Sequence, residues 1–367
     1  MKEPSKASAT SISDSQGPLN AVEIEKWLRE ENPDSLRGLW ERADQVRRAH
    51  VGDAVYPRGL VEISNICVRQ CHYCGIRSGN TGLTRYRMDA AEVLDCARRA
   101  RTLGYGTVVL QAGEDPALGT LWVRDLVVAI KKETGLAVTL SLGERGLDEL
   151  KLWKEAGADR YLLRFETGNS KLFQSIHPPK PGKPCDRLAL LASIKELGYE
   201  VGSGILIGIP GQTYQDLARD LLLFREMNLD MIGVGPFIPH PLTPLGQLPR
   251  PTNEAQAPNT EMMTYKVLAL ARLQCPDANL PSTTALATLN LAAGRELGLS
   301  RGANILMPNL TPQRYREFYE IYPAKACIRE TAEQCHSCLE LRLKGIGRSI
   351  GQGSGSSLAY QARFPRN

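Results

Sequence analysis

Apolar positions along the chain repeat with two periods that alternate. Over residues 20–51 the spacing is helical: Trp27 and Leu28, then Leu36, Leu39, Trp40, Ala43 and Val46. Two packed helices are expected there, with Asp34 capping the second. From Gly59 onward, short β-rich runs occur at 60–65, 107–112, 137–142, 160–166, 201–208, 231–237, 279–284 and 303–307. Amphipathic helical stretches separate them, at 90–103, 122–133, 147–156, 186–197, 213–227, 259–273 and 285–296. Strands that each lead into a helix predict an α/β chain, a full (β/α)8 barrel of the TIM type. A doubly wound open sheet shares the same periodicity. The expected organisation is a polar tail (1–19), an N-terminal helical segment (20–58), the barrel (59–320) and a C-terminal extension (321–367). The extension reads as a compact cysteine-containing loop followed by a flexible Gly/Ser-rich tail at 345–357.

Composition narrows the classes. With 367 residues, 42% hydrophobic and 23% charged, the chain is neither disordered nor collagen-like. Its apolar runs stop far short of the roughly 18 residues a membrane span needs. Net charge is only +5, without a run of five like charges, so neither nucleic acid nor a membrane is an expected partner. Residues 1–17 lack the apolar stretch of an export signal, which makes the cytoplasm the expected compartment. There, nine cysteines read as metal ligands or free thiols rather than a disulfide framework. Cys96, Cys185 and Cys275 have no partner spacing and read as ordinary thiols.

The strongest chemical signal is Cys67-Val-Arg-Gln-Cys71-His-Tyr-Cys74, directly after the first predicted strand. Three thiolates on one loop can take three irons of a 4Fe–4S cube and leave the fourth iron open to an amine and carboxylate. A zinc knuckle is the competing reading, but zinc wants a fourth ligand and only His72 lies nearby. At the C-terminal ends of the predicted strands stand Gln111, Thr139, Ser141, Arg164, Glu166 and Met231, where a barrel places its site. Arg164 and Glu166 share a strand face by the two-residue period, while Phe165 points outward. That inward pair needs a partner: either a zwitterionic ligand or simply each other. Gly208-Ile-Pro-Gly211 marks a tight turn or a close backbone approach to a ligand. Tyr319 and Tyr322 lie three apart, as on one helical face, a spacing commoner in cores than in sites. Cys327, Cys335 and Cys338 form a second cysteine group suited to a second iron–sulfur cluster, to zinc, or to no metal.

The three-cysteine spacing resembles the signature of the radical S-adenosylmethionine (SAM) superfamily. Further strings resemble its HydE family of [FeFe]-hydrogenase maturases, relatives of biotin synthase. They include Val109-Leu-Gln-Ala-Gly-Glu-Asp115, Gly157-Ala-Asp-Arg-Tyr-Leu-Leu-Arg164, Gly233-Val-Gly-Pro-Phe-Ile-Pro-His-Pro241 and Ala303-Asn-Ile-Leu-Met-Pro-Asn309. The resemblance implies that Cys67, Cys71 and Cys74 hold a 4Fe–4S cluster and that SAM is reductively cleaved beside it. It implies SAM contacts from Tyr73, Gln111, Thr139, Ser141, Arg164, Glu166, Arg187 and Met231, and a substrate cavity lined by Tyr319, Tyr322, Met307, Thr283 and Thr284. It further implies an Fe(CO)2(CN)–cysteine substrate supplied by HydG, a HydF scaffold downstream, ferredoxin or flavodoxin as reductant, and an accessory cluster on Cys327, Cys335 and Cys338 in some members. Phe165, Ala112 and Leu310 depart from the family pattern. The competing enzyme readings are a biotin-synthase-like or methylornithine-synthase-like radical enzyme acting on a small organic substrate. A sulfur inserter would need cysteine ligands for a second cluster inside the barrel, and no predicted strand offers them. From another class, an iron–sulfur electron carrier or scaffold would gain nothing from an open iron.

Overall fold

The computed structural model describes residues 17–180, 186–249, 251 and 253–365. The first sixteen residues of the polar tail, and Cys185, lie outside the described residues. Two helices, Ala21–Arg29 and Pro33–Val51, open the described chain as the periodicity predicts. Asn20 starts the first through a capping box with Glu23. The second starts two residues earlier than expected: Asn32 caps it with Pro33 at the first helical position, and Asp34 sits inside the first turn. Pro33 needs no N–H there and its fixed φ suits the helix, which decides the boundary.

The strands are β1 (Ala54–Ser64), β2 (Thr107–Ala112), β3 (Ala137–Ser141), β4 (Arg160–Leu162), β5 (Glu200–Ile207), β6 (Met231–Pro236) and β7 (Ile305–Leu306). They pair in parallel in the order β6-β5-β4-β3-β2-β1-β7, an α/β sheet curled so that helices cover its outer side. In place of the expected full (β/α)8 barrel, the described residues form a parallel half-barrel of seven strands. Residues 279–284 make no strand: Asn279 bridges Met231, and Pro281 bridges Ile305, by isolated parallel contacts. Pro281 and Pro308, lacking N–H donors, sit where ladders would otherwise lengthen. A further short strand, β8 (Ser349–Ile350), pairs with the start of β1.

The C-terminal extension differs from its sequence reading. Cys335 and Cys338 lie on a helix, Ala332–Gly345, started by a Thr331–Gln334 capping box, not in a loop. Nor does the Gly/Ser-rich segment trail into solvent. It runs beneath the barrel, where Arg160 Nη2 donates to Ser354 O (2.9 Å) and Arg58 Nη2 to Gly355 O (3.0 Å). Gly355, at φ +56, lies against Tyr56, and an added Cβ would come within 2.6 Å of the ring. Small residues here serve close packing rather than mobility.

Register sets the barrel's inner layers. Glu62, Gln111 and Ser141 stand level at the top, and Leu60, Val109 and Thr139 one layer below. At the bottom Arg160 is fully enclosed, its Nε 2.6 Å from Glu200 Oε2, while Glu200 Oε1 accepts from the Ser357 N–H at 2.9 Å. Removing one partner of such a pair leaves an uncompensated buried charge. Arg160→Met is therefore expected to cost about 3–5 kcal/mol in urea denaturation. The double change Arg160→Met/Glu200→Leu should recover much of that loss, and a fully additive double mutant would contradict the pairing.

Candidate active site

Above the inner layers lies a cavity of about 340 Å³, within the range of small-ligand sites. Its shape follows from glycine. The inward positions Gly233 and Gly235 of β6 carry no side chain, so one wall recedes while the opposite wall bears Glu62, Gln111 and Ser141. The turn closing β5 shows the same economy: Gly208 has φ +75, and a Cβ would meet the Asn259 backbone at 2.3 Å. Its N–H donates to Gln212 Oε1 at 2.7 Å.

The loop leaving β1 brings Cys67, Cys71 and Cys74 to the cavity wall. Two backbone N–H groups, of Arg69 (3.5 Å) and Glu114 (3.4 Å), point at the Cys67 sulfur. Burial raises all three thiols, that of Cys71 to about 12. Such thiols ionise readily only against a cation, so deprotonation and metal binding go together.

Arg164 and Glu166 meet as expected, Nη2 to Oε2 at 3.2 Å, but not through a strand period. β4 ends at Leu162, and Glu166 takes φ +65, a rare backbone for a residue with a Cβ. That turn aims its carboxylate back at Arg164, within 3.4 Å of the Tyr73 hydroxyl. Phe165 faces outward against Phe224, as predicted. Arg164 Nε and Glu166 Oε2 are buried without hydrogen-bond partners among the described residues, although both residues line the cavity. Polar atoms so placed suit a ligand that brings both charges.

Of the other expected SAM contacts, Tyr73, Gln111, Ser141, Arg187 and Met231 all line the cavity. Thr139 does not. It lies a layer below, fully buried, its hydroxyl without a partner among the described residues. Met231 sits deep, its sulfur 2.8 Å from Arg58 Nη1. Arg187 is the first residue of the helix Arg187–Glu196. Its guanidinium donates to Glu144 Oε1 (2.9 Å) and to Arg164 O (2.6 Å).

Met307, Thr283, Thr284, Tyr319 and Tyr322 line the same cavity. The tyrosines reach it from irregular chain beyond the short helix Gln313–Arg316 rather than from one helical face. Gln111 Nε2 donates to the Tyr319 hydroxyl at 3.2 Å. Burial and the nearby Glu62 carboxylate keep both phenols protonated.

Several cavity residues escaped the sequence reading, Arg69, Glu114, Glu62, Lys325 and His177 among them. Glu62 and Lys325 form a buried ion pair on the wall, with the Lys325 ammonium over the Tyr319 ring. A lone glutamate at an inward position of an apolar strand was the available signal for Glu62. His177 lies beside Cys71 and Tyr73, and burial brings its imidazole down to about 4. Nothing local in the sequence marks it.

The second cysteine group is partly assembled. Cys327, at φ +64, receives a hydrogen bond from Arg295 Nη2 at 2.9 Å. A hydrogen bond from Cys335, and then Arg295, lowers its thiol. Cys335 is buried and Cys338 exposed, one turn further along the helix. Among the described residues, no three His, Cys, Asp or Glu side chains are gathered for a single metal ion.

Residues 61–224 match the radical SAM superfamily. The chain is 46% identical to the [FeFe] hydrogenase maturase subunit HydE of Thermotoga maritima, over 86% of this chain and 88% of that one. The chain belongs to the HydE family of radical SAM enzymes. Two solved structures share the fold: methylornithine synthase (PylB), with TM-score 0.78, 24% identity and coverage of 92% and 95% of the two chains, and the maturase HydG, with 0.75, 20%, 91% and 73%. Membership of the HydE family implies a 4Fe–4S cluster and SAM, and the cavity fits both. Three soft sulfur donors leave one loop together, and Arg164 Nε and Glu166 Oε2, without hydrogen bonds among the described residues, belong to residues that line the same cavity. No helix of the described chain is long and apolar enough to cross a membrane.

The strained turn at Glu166 is held from behind by Asp220, whose Oδ1 accepts from the Gly168 N–H at 2.5 Å. Burial pushes the Asp220 carboxyl from its ordinary 3.8 up to about 8. The folded protein therefore keeps a proton that the unfolded chain has released, so stability falls as pH rises through that window. Wild-type stability is expected to decline with a slope of up to about 1.4 kcal/mol per pH unit from this group. Asp220→Asn, which keeps the acceptor, should flatten that part of the profile in denaturation measured at successive pH values. An unchanged slope would remove Asp220 as its source.

Proposed function

We propose that this protein is a maturase for [FeFe] hydrogenase. In this reading it binds a 4Fe–4S cluster on Cys67, Cys71 and Cys74, cleaves SAM reductively and acts on an Fe(CO)2(CN)–cysteine complex supplied by HydG. The observation that carries the reading is one cavity joining the three-cysteine loop, the Arg164–Glu166 pair and the Tyr319–Tyr322–Met307 wall. When bound, the cluster supplies one electron to SAM, which yields methionine and a 5′-deoxyadenosyl radical.

The chain's part is binding, orientation and exclusion of water. Arg164 would take the SAM carboxylate and Glu166 the ammonium, each completing a contact the protein leaves open. Ser141, Gln111 and Met231 would hold the ribose and base side, with Thr139 supporting from beneath. Tyr73 would approach the adenine through its backbone, and Arg187 would fix the loop end. Tyr319 and Tyr322, held as neutral phenols, would face the iron complex together with Met307. The Met307 thioether is a soft donor of the kind that suits an iron–carbonyl substrate. A full (β/α)8 barrel, closed through residues 279–281, a cytoplasmic setting, ferredoxin or flavodoxin as reductant and HydF as recipient complete the reading. Methylornithine synthase shares the fold, but at 24% identity it lends no substrate.

Anaerobically reconstituted protein is expected to form 5′-deoxyadenosine from SAM, and Cys71→Ala to lose both cluster and product. Cleavage undiminished in Cys71→Ala would refute the cluster assignment. Arg164→Met should leave iron content unchanged and weaken SAM binding at least tenfold, since a lost charge-assisted contact costs about 2–5 kcal/mol. Isothermal titration checks this, and wild-type affinity would reduce Arg164–Glu166 to a structural pair.

We also propose an accessory cluster on Cys327, Cys335 and Cys338, beyond the barrel. Changing all three to Ser should remove the second cluster's iron and preserve both 5′-deoxyadenosine formation and hydrogenase maturation. Loss of maturation in a folded triple mutant that keeps its first cluster would place this group in the electron path or at a partner interface.

A further inference from the structure

The imidazole of His177 is 2% exposed and lies between the cysteine loop and the wall expected to hold SAM. Its Nδ1 is 3.0 Å from the Cys71 sulfur and 3.3 Å from the Tyr73 hydroxyl. Its Nε2 is 2.8 Å from Arg187 Nη2. A guanidinium only donates, so the nitrogen facing it accepts, and the ring's hydrogen belongs on Nδ1. Glu144 Oε1 also approaches Nε2, at 3.4 Å, but it already takes the Arg187 Nε hydrogen at 2.9 Å. The nearer contact sets the tautomer. The Tyr73 hydroxyl is shared between Glu166 and the Cys71 sulfur, and Nδ1 lies nearer the sulfur (3.0 Å) than the hydroxyl (3.3 Å), so the sulfur is the shorter acceptor for Nδ1–H.

The placement does not depend on one rotamer. The His72 N–H donates to Ile176 O at 2.8 Å, tying the cysteine loop to the residue before His177. Phe173 stacks on the other side of the ring, with centroids 5.0 Å apart. Arg187 is itself fixed by Glu144 and by Arg164 O.

We propose that His177 is a positioning residue for the cluster, giving an N–H···S hydrogen bond to the Cys71 thiolate, with its tautomer locked by Arg187. This rests on the reading that Cys67, Cys71 and Cys74 hold the cluster. A donor to a cluster sulfur withdraws charge from it and favours the reduced state, one of the means by which proteins set such potentials. Arg187 also lines the cavity, so a change beside SAM reaches this ligand through a single ring.

The test is an EPR-monitored redox titration of the reconstituted protein, comparing wild type with His177→Phe, His177→Asn and His177→Gln. Phe should lower the reduced-to-oxidised ratio about tenfold at the wild-type midpoint, equivalent to about 59 mV for one electron. Asn places an amide N–H near the position of Nδ1 and should restore most of the shift, whereas Gln, which reaches the Nε2 position, should not. A Phe midpoint equal to wild type overturns the proposal, and so does equal rescue by Asn and Gln. Should Phe lose the cluster, pulsed EPR on wild type labelled with ¹⁵N-histidine decides. A weak histidine coupling to the reduced cluster that survives both His72→Gln and His240→Gln supports the bond, and its absence overturns it. Wild type that takes up no iron at all would instead sink the cluster reading itself.

Discussion

Charge buried inside this barrel has to be answered by opposite charge, and the rest of the architecture is arranged around that constraint. Taking a guanidinium or carboxylate out of water costs several kcal/mol unless a partner and hydrogen bonds replace the solvent. At the bottom the answer comes from the chain itself: Arg160 meets Glu200, and the Gly/Ser-rich segment supplies carbonyls and an N–H to both. That requirement explains why a stretch with the composition of a tail is held in place. At the top the pairing is incomplete. Arg164 and Glu166 touch, yet Arg164 Nε is buried without a hydrogen-bond partner among the described residues, and Glu166 Oε2 has only its ion-pair contact with Arg164. The constraint that closes the bottom is thus met only in part at the top.

How much of this was legible depends on whether a feature is local. The cysteine loop, most helix starts and the inward alternation on β1 to β3 follow from spacing of a few residues and appear where the pattern puts them, although β1 begins at Ala54, inside the stretch to 58 expected to be helical. Asp34 lost the cap to Asn32 because a proline one position along is an equally local signal that outranks a carboxylate. Residues 279–284 carry the apolar pattern of a strand, but strand pairing is a property of two neighbours. Met231 and Ile305 give that segment single bridges only. Arg164 and Glu166 were paired correctly for the wrong reason: a positive φ at Glu166, not the period of a strand, brings them together.

His177 and Lys325 mark where local reading ends. Each stands in a proline-flanked, irregular segment, and each acquires meaning only from residues more than a hundred positions away, Cys71 and Glu62 respectively. The tyrosines are an intermediate case. Their spacing suggested a helix face, and the resemblance, not the spacing, directed them to the cavity. Irregular chain delivers them because the Arg316 side chain, bonded to Thr311 O, Asn309 O and Glu330 O, fixes the turn that carries them.

The same arginine shows how the two cysteine groups are mechanically related. Arg316 ties the end of the β7 loop, through Asn309 O, to the chain that holds Cys327, through Cys327 O. Lys325, two residues before Cys327, reaches back into the cavity to Glu62, whose other oxygen accepts from Asn309 Nδ2 at 3.1 Å. The segment between Tyr322 and Cys327 is therefore anchored at both faces: charge pairing on the cavity side, carbonyl hydrogen bonds on the outer side. A segment fixed in this way holds the tyrosine wall in register with β1. The cysteine group beyond the barrel thus sits on the same scaffold as the tyrosine wall, whatever its own occupancy.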